Sequence, residues 1–161
     1  MQAERNGYTH FGTFFGLPCI MGHDPFKLST EYFTINHITA AQIQCAHHSS
    51  AAYPAEISEF DQTDLTPQIR ADFKIPFVAQ SPVQLYCKYL NEYPIAENNT
   101  IMIVASIEHL FFQEPLLHPD GWIRLDQAKV VAINGLDGYA LPNILDRFAY
   151  ARTNQPVHSI L

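Results

Sequence analysis

The 161-residue chain is close to the usual size of one domain, and with 47% apolar residues it can bury one sizeable core. Nine Lys and Arg against sixteen Asp and Glu leave a net charge of −7, and the basic residues are scattered, so no basic stripe exists to follow a nucleic-acid polymer. Cys19, Cys45 and Cys87 are odd in number and far apart, which argues against a zinc knuckle or a disulfide framework and fits a reducing, cytoplasmic setting.

The apolar stretches at 11–21 and 101–105 fall short of the roughly 20 residues that cross a bilayer, so no membrane span is expected. Nor is the first expected to be a secretion signal: Glu4 stands beside Arg5 ahead of it, and no small-x-small cleavage site follows. Residues 1–28 form a separate segment in this reading. From there the run Tyr32-Phe-Thr-Ile-Asn-His-Ile38 is β-branched and aromatic and predicts a buried strand. Thr39 and Gln42 form a capping box, with Ile38 and Ile43 at the two staple positions, so a short helix is predicted up to His47 or His48.

Pro54 suits a first helical position, predicting one or two turns over 55–60. Thr66-Pro67 repeats the signal, and Ile69 and Phe73, four apart, predict a second short helix before Pro76. From Pro82 the period becomes two, with Val83, Leu85, Cys87 and Tyr89 on one face and Gln84, Tyr86 and Lys88 on the other, a half-buried strand. A turn-rich stretch over 91–99 separates it from a second strand over 101–112, making an antiparallel hairpin. A helical turn at 125–128, a strand at 130–133, a glycine turn at Gly135 and Gly138, and a short helix over 142–150 complete the pattern, ahead of a tail at 154–161.

These elements predict a mainly β fold, a small β-barrel with peripheral short helices. The strands from Tyr32 onward are too few to close it, so a missing strand must come from the N-terminal residues or from a partner subunit.

Several segments then resemble a known family. Tyr32-Phe-Thr-Ile-Asn-His-Ile38, His47-His-Ser-Ser50, Tyr53-Pro54, Glu59-Phe60 and Leu65-Thr66, followed by Ile107-Glu-His-Leu110, His118-Pro-Asp-Gly-Trp122, Asn134-Gly-Leu-Asp-Gly-Tyr139 and Asp146-Arg-Phe-Ala-Tyr-Ala-Arg152, resemble flavin-reductase-like, flavoredoxin-type proteins, collinearly from Ser29 to Arg152. The resemblance implies an FMN-binding split barrel over 29–153 and a homodimer holding FMN without a covalent bond at its interface. It also implies NAD(P)H as hydride donor to the flavin. Relatives of this kind carry more residues ahead of the Phe-Thr-Ile-Asn segment, so the N-terminal part is expected to be truncated or divergent. Where they place a Pro-Arg-x-Thr-like phosphate loop, this chain reads Gly22-His-Asp-Pro-Phe-Lys-Leu28, in which Lys27 supplies one positive charge and Asp24 opposes it.

On that resemblance, Asn36 and His37 are candidates to contact the flavin ring or its ribityl hydroxyls, the alternative being ordinary strand-end hydrogen bonds. His47, His48, Ser49, Ser50 and Tyr53 are candidates for a pocket wall touching cofactor or substrate, the alternative being a polar helix terminus. Tyr139, Phe148 and Tyr150 either cover an isoalloxazine ring or pack at a dimer interface. No metal site is expected: His-Glu-x-x-His is absent, and the adjacent His47 and His48 point about 100° apart on a helix. Glu56 and Glu59 read as a solvated face, Asn134 to Gly138 as a tight turn rather than a dinucleotide fingerprint, and no Gly-x-Ser-x-Gly elbow is present. Three functions follow as expectations: a flavin-reductase-type oxidoreductase, a non-catalytic flavin- or ligand-binding dimeric barrel, or an inactive fragment.

Overall fold

A computed structural model of the chain describes residues 31–161, apart from Ala52, Ala55, Asn98, Asn99 and Leu136. The segment 1–28, and Lys27 with it, lies outside the described residues. The organising pair is the expected hairpin, β4 (Val83–Ile95) against β5 (Thr100–Phe112), each 13 residues long. β1 (Tyr32–Asn36) pairs antiparallel with the other edge of β4, giving the sheet order β1-β4-β5 with Asn36 opposite Gln84 and Val83 opposite Phe112. β4 also runs on to Ile95 through a region read from sequence as turn. Pro94 is tolerated there because β1 pairs only with Gln84 to Lys88, so among the described residues no strand needs its missing N–H on the edge of β4 away from β5.

The expected half-buried β4 is buried on both faces between Val83 and Cys87 except for a partly covered Leu85. The second cover is a ribbon, β2 (Pro67–Gln68) paired with β3 (Phe77–Val78), where a helix was expected over 66–73. Tertiary contacts outweigh the local helix signal. Phe73 turns its ring edge-on to Phe77, Tyr86, His109 and Phe111, and Phe77 has no exposed surface at all. Polar atoms of the sheet meet the ribbon's backbone: Thr34 Oγ1 donates to the Pro76 carbonyl at 3.0 Å, and the Val78 N–H donates to Asn36 Oδ1 at 2.9 Å.

Thr39 and Gln42 open the helix as expected, the Thr39 N–H donating to Gln42 Oε1 at 2.7 Å. A 3₁₀ turn (Ala40–Gln42) leads into α1 (Ile43–His48), whose inner side packs Ile43 and Ala46 on Ile38, Val131 and Tyr139. Residues 129–131 hold this helix entry to the body: the Ala40 N–H donates to the Lys129 carbonyl and the Val131 N–H to the Ile38 carbonyl, at 3.0 and 3.1 Å. The next helix, α2 (Glu59–Gln62), starts later than Pro54 suggests. Ser58 caps it by accepting from the Phe60 N–H, and Pro54 instead closes a turn with Ile57.

The strand expected at 130–133 is shifted to β6 (Ala132–Asn134), which forms a tight hairpin with β7 (Gly138–Ala140). Gly135 takes φ +73°, and a Cβ at Gly138 would lie 2.7 Å from the Asn134 carbonyl oxygen, so both glycines serve the turn. No helix forms over 142–150. Its apolar residues find no core to pack on, and a helix this short is not stable without one. Residues 147–149 pair instead with 158–160 of the tail. The whole is mainly β with short helices, and among the described residues no helix is long and apolar enough to cross a membrane. Because Phe77 joins the ribbon to the sheet, Phe77→Ala is expected to cost about 3–5 kcal/mol, read as a lowered urea midpoint with an unchanged slope.

Candidate functional site

The end of α1 meets β7 in a polar corner beside Ile38, just past the exit of β1, while Asn36 at the end of β1 turns toward β3 instead. Asn36 is buried, and both ends of its amide are used: Nδ2 donates to Thr34 Oγ1 at 3.1 Å while Oδ1 accepts from Val78. His37 follows, its backbone N–H donating to the Val83 carbonyl at 3.0 Å. Its half-buried ring has a pKa lowered from 6.5 by desolvation, so the imidazole is neutral at neutral pH.

Adjacent histidines at the end of α1 project in different directions, and each meets a tyrosine. His47 Nδ1 lies 2.9 Å from the Tyr139 hydroxyl of β7, the rings edge to face, and His48 Nε2 lies 2.8 Å from the Tyr53 hydroxyl. Burial, with Asp137 adding to it, raises the Tyr139 pKa, so that phenol stays protonated. Ser49 is buried and donates to the Ala46 carbonyl at 2.8 Å, and Ser50 is exposed and donates to the His47 carbonyl at 2.7 Å. The Ser49 hydroxyl satisfies a carbonyl of the last turn, and the Ser50 hydroxyl adds a second bond to the His47 carbonyl, which also accepts from the Ser50 N–H.

Beside this corner lies an open depression of about 270 Å³ between α1 and the end of α2, lined by Gln44, Cys45, His48, Gln62, Thr63 and Asp64. It escapes sequence reading because α2 brings Gln62 to Asp64 there by tertiary packing; the one sequence signal is that Cys45 and His48, three apart, share a face of α1. The His47–Tyr139 pair is likewise invisible in sequence, since its partners lie 92 residues apart. Among the described residues no three His, Cys, Asp or Glu side chains are grouped to hold a metal.

The sequence profile described as "Flavin reductase like domain" matches residues 24–124. The chain belongs to this flavin reductase-like family of FMN-binding split barrels. A Shewanella frigidimarina protein with a split-barrel domain, a candidate flavin reductase, is 35% identical over 76% of this chain and 62% of its own, with a TM-score of 0.73. The flavoredoxin of Desulfovibrio vulgaris (19% identity, 77% and 63% covered, TM-score 0.58) shares the fold. So does an FMN-binding domain of a flavin reductase-like enzyme from Shewanella baltica (19%, 72% and 62%, TM-score 0.55). The chain thus spans about three fifths of the length of these structures. No curated protein matches it.

The donor set of the corner suits part of FMN. Imidazoles, phenols and a serine hydroxyl are hydrogen-bonding groups that match the carbonyls of the ring and the ribityl hydroxyls. A phosphate calls for a cation; the stretch where relatives carry an Arg/Thr loop reads Gly22 to Leu28 here and lies outside the described residues. Because folding favours neutral His37, its contribution to stability is complete above pH 6.5 and is lost as the pH falls from 6.5 through its lower folded midpoint. NMR titration of the imidazole resonances should therefore place the midpoint of His37 below 6.5.

Proposed function

We propose that this chain binds FMN non-covalently at the corner formed by α1 and β7, and that it works as a homodimeric oxidoreductase of the flavin-reductase type. FMN, when bound, would supply the redox chemistry between NAD(P)H as hydride donor and free flavin or another acceptor. What the protein contributes is binding and orientation.

The reading is supported by family membership together with one observation: His47 and His48 each engage a tyrosine through one ring nitrogen, and among the described residues no hydrogen bond occupies the other. Tyr139 and Tyr53 hold those imidazoles in place. Ser50, whose proton is committed to the His47 carbonyl, offers its oxygen as an acceptor, and Ser49 keeps the last turn of α1 closed behind it. Neutral His37 lines the approach from the sheet, with Asn36 beside it tying β1 to β3. Lys27 supplies one positive charge toward the phosphate, which Asp24 opposes.

Reconstitution tests this directly. FMN should quench its fluorescence on titration with the purified chain, and the complex should oxidise NAD(P)H in a flavin-dependent manner. Binding without turnover would favour the non-catalytic flavin-binding dimer, and no uptake at high micromolar FMN would remove the cofactor claim. Tyr139→Phe, which frees the His47 ring at the loss of about 1 kcal/mol, should weaken FMN binding roughly 5- to 10-fold.

A further inference from the structure

Among the described residues other than glycine, only Lys129 has a positive φ, +56°. It closes the turn that leads into β6. The Val130 N–H donates to the Leu125 carbonyl at 3.0 Å, and the Lys129 N–H donates to the Asp126 carbonyl at 2.9 Å. Those two bonds make a Schellman closure, in which the position held by Lys129 is left-handed and usually given to glycine. A Cβ there crowds the backbone, so this lysine is kept at a cost to the fold. Backbone outliers of this kind collect at functional sites.

The turn is tied to the corner where α1 meets β7. The Lys129 carbonyl accepts from the Ala40 N–H at 3.0 Å, and Val130 bridges to Thr39, so Lys129 stands at the entry of the helical stretch whose last turn carries His47 and His48. Ala40 and His47 lie at the two ends of that stretch, roughly 10 Å apart along a helix. Val131 packs against Ala46 from below, and Tyr139 reaches His47, so one rigid body carries both ends.

A phosphate monoester carries a charge of about −1.5 to −2 near neutral pH, and Lys27 offers one positive charge that Asp24 opposes. A further cation is called for. Among the described residues Arg70 is taken by Gln84, Arg124 by the Pro115 carbonyl, Arg147 by Asp120 and Lys88 by Glu31. Lys74 follows Phe73 over the aromatic layer of the sheet, and Arg152 lies in the loop between the paired stretches 147–149 and 158–160. Lys129 is exposed, and no ion pair among the described residues engages its ammonium, not even with Asp126 of the same turn.

On the flavin reading given above, we propose that Lys129 binds the phosphate of an FMN whose ring and ribityl chain are held by His47 and His48. FMN carries its phosphate at the far end of the ribityl chain from the ring, which suits a cation at one end of the helical stretch and imidazoles at the other. Glycine would serve the turn better but carries no charge, and that is why a left-handed lysine is retained.

Titrating the full chain with FMN and with riboflavin, which lacks the phosphate, tests the assignment by flavin fluorescence. Lys129→Met removes the charge and keeps the left-handed strain; it should weaken FMN roughly 10-fold and leave riboflavin within about twofold. Lys129→Gly should weaken FMN alone in the same way while raising the melting temperature, because it relieves the strain. A purely structural lysine would not yield a gain in stability together with a loss confined to the phosphate-bearing flavin. Equal losses for both flavins in folded Lys129→Met, or FMN affinity unchanged in both variants, would overturn the assignment and leave the flavin reading standing. An unaltered chain that binds neither flavin overturns both.

Discussion

Gln84 occupies the point on which the described structure depends. It sits on the central strand, buried, with its side-chain amide engaged at both ends. Nε2 donates to the Val78 carbonyl at 2.7 Å and to Gln68 Oε1 at 3.1 Å, and Oε1 accepts from Arg70 at 2.8 Å. A buried amide left unpaired is costly, so this arrangement admits one placement of the β2–β3 ribbon over the sheet. Asn36, opposite Gln84 on β1, repeats the device one strand away by accepting from the Val78 N–H. The ribbon is thus held to the sheet by amides, and its aromatic residues fill the layer between.

That constraint reaches the candidate site through the backbone. Once Asn36 is anchored, His37 and Ile38 leave the sheet in a set direction, and the capping box at Thr39 starts the helix there. Two histidines at the end of so short a helix then fall beside tyrosines from different parts of the chain. A site on a six-residue helix has little rigidity of its own. Here it is borrowed from the β6–β7 hairpin, through the Tyr139 hydroxyl, and from the Val131 contact beneath.

Arg70 shows how polar and aromatic terms combine. Its guanidinium lies 4.2 Å from the centroid of Phe111 and bonds to Gln84, so one side chain closes the aromatic layer and completes the amide network. At the other end of the molecule Arg147 does comparable work against Trp122 and Asp120. The Asp120 carboxyl, held to a pKa of about 2 chiefly by the Trp122 N–H, stays ionised throughout the physiological range.

By itself the sequence determined the elements whose signals are local: the β1 run, the Thr39–Gln42 helix entry, the β4–β5 hairpin and the glycine turn before Tyr139. Period-two patterning, capping chemistry and the conformational freedom of glycine act within a few residues, and nothing distant opposes them. Its long collinear likeness to flavin reductase-like proteins also carried the family. Tertiary structure alone decided the rest. Residues 66–73 carry a helix signal but lie over Tyr86 and Gln84, whose aromatic and amide partners are worth more than the short helix they displace. Residues 142–150 have helical spacing but meet no core, so their apolar side chains are left facing outward. The pairing of His47 with Tyr139 was equally beyond local reading, because a hydrogen bond spanning 92 residues exists only once the barrel has brought α1 and β7 together.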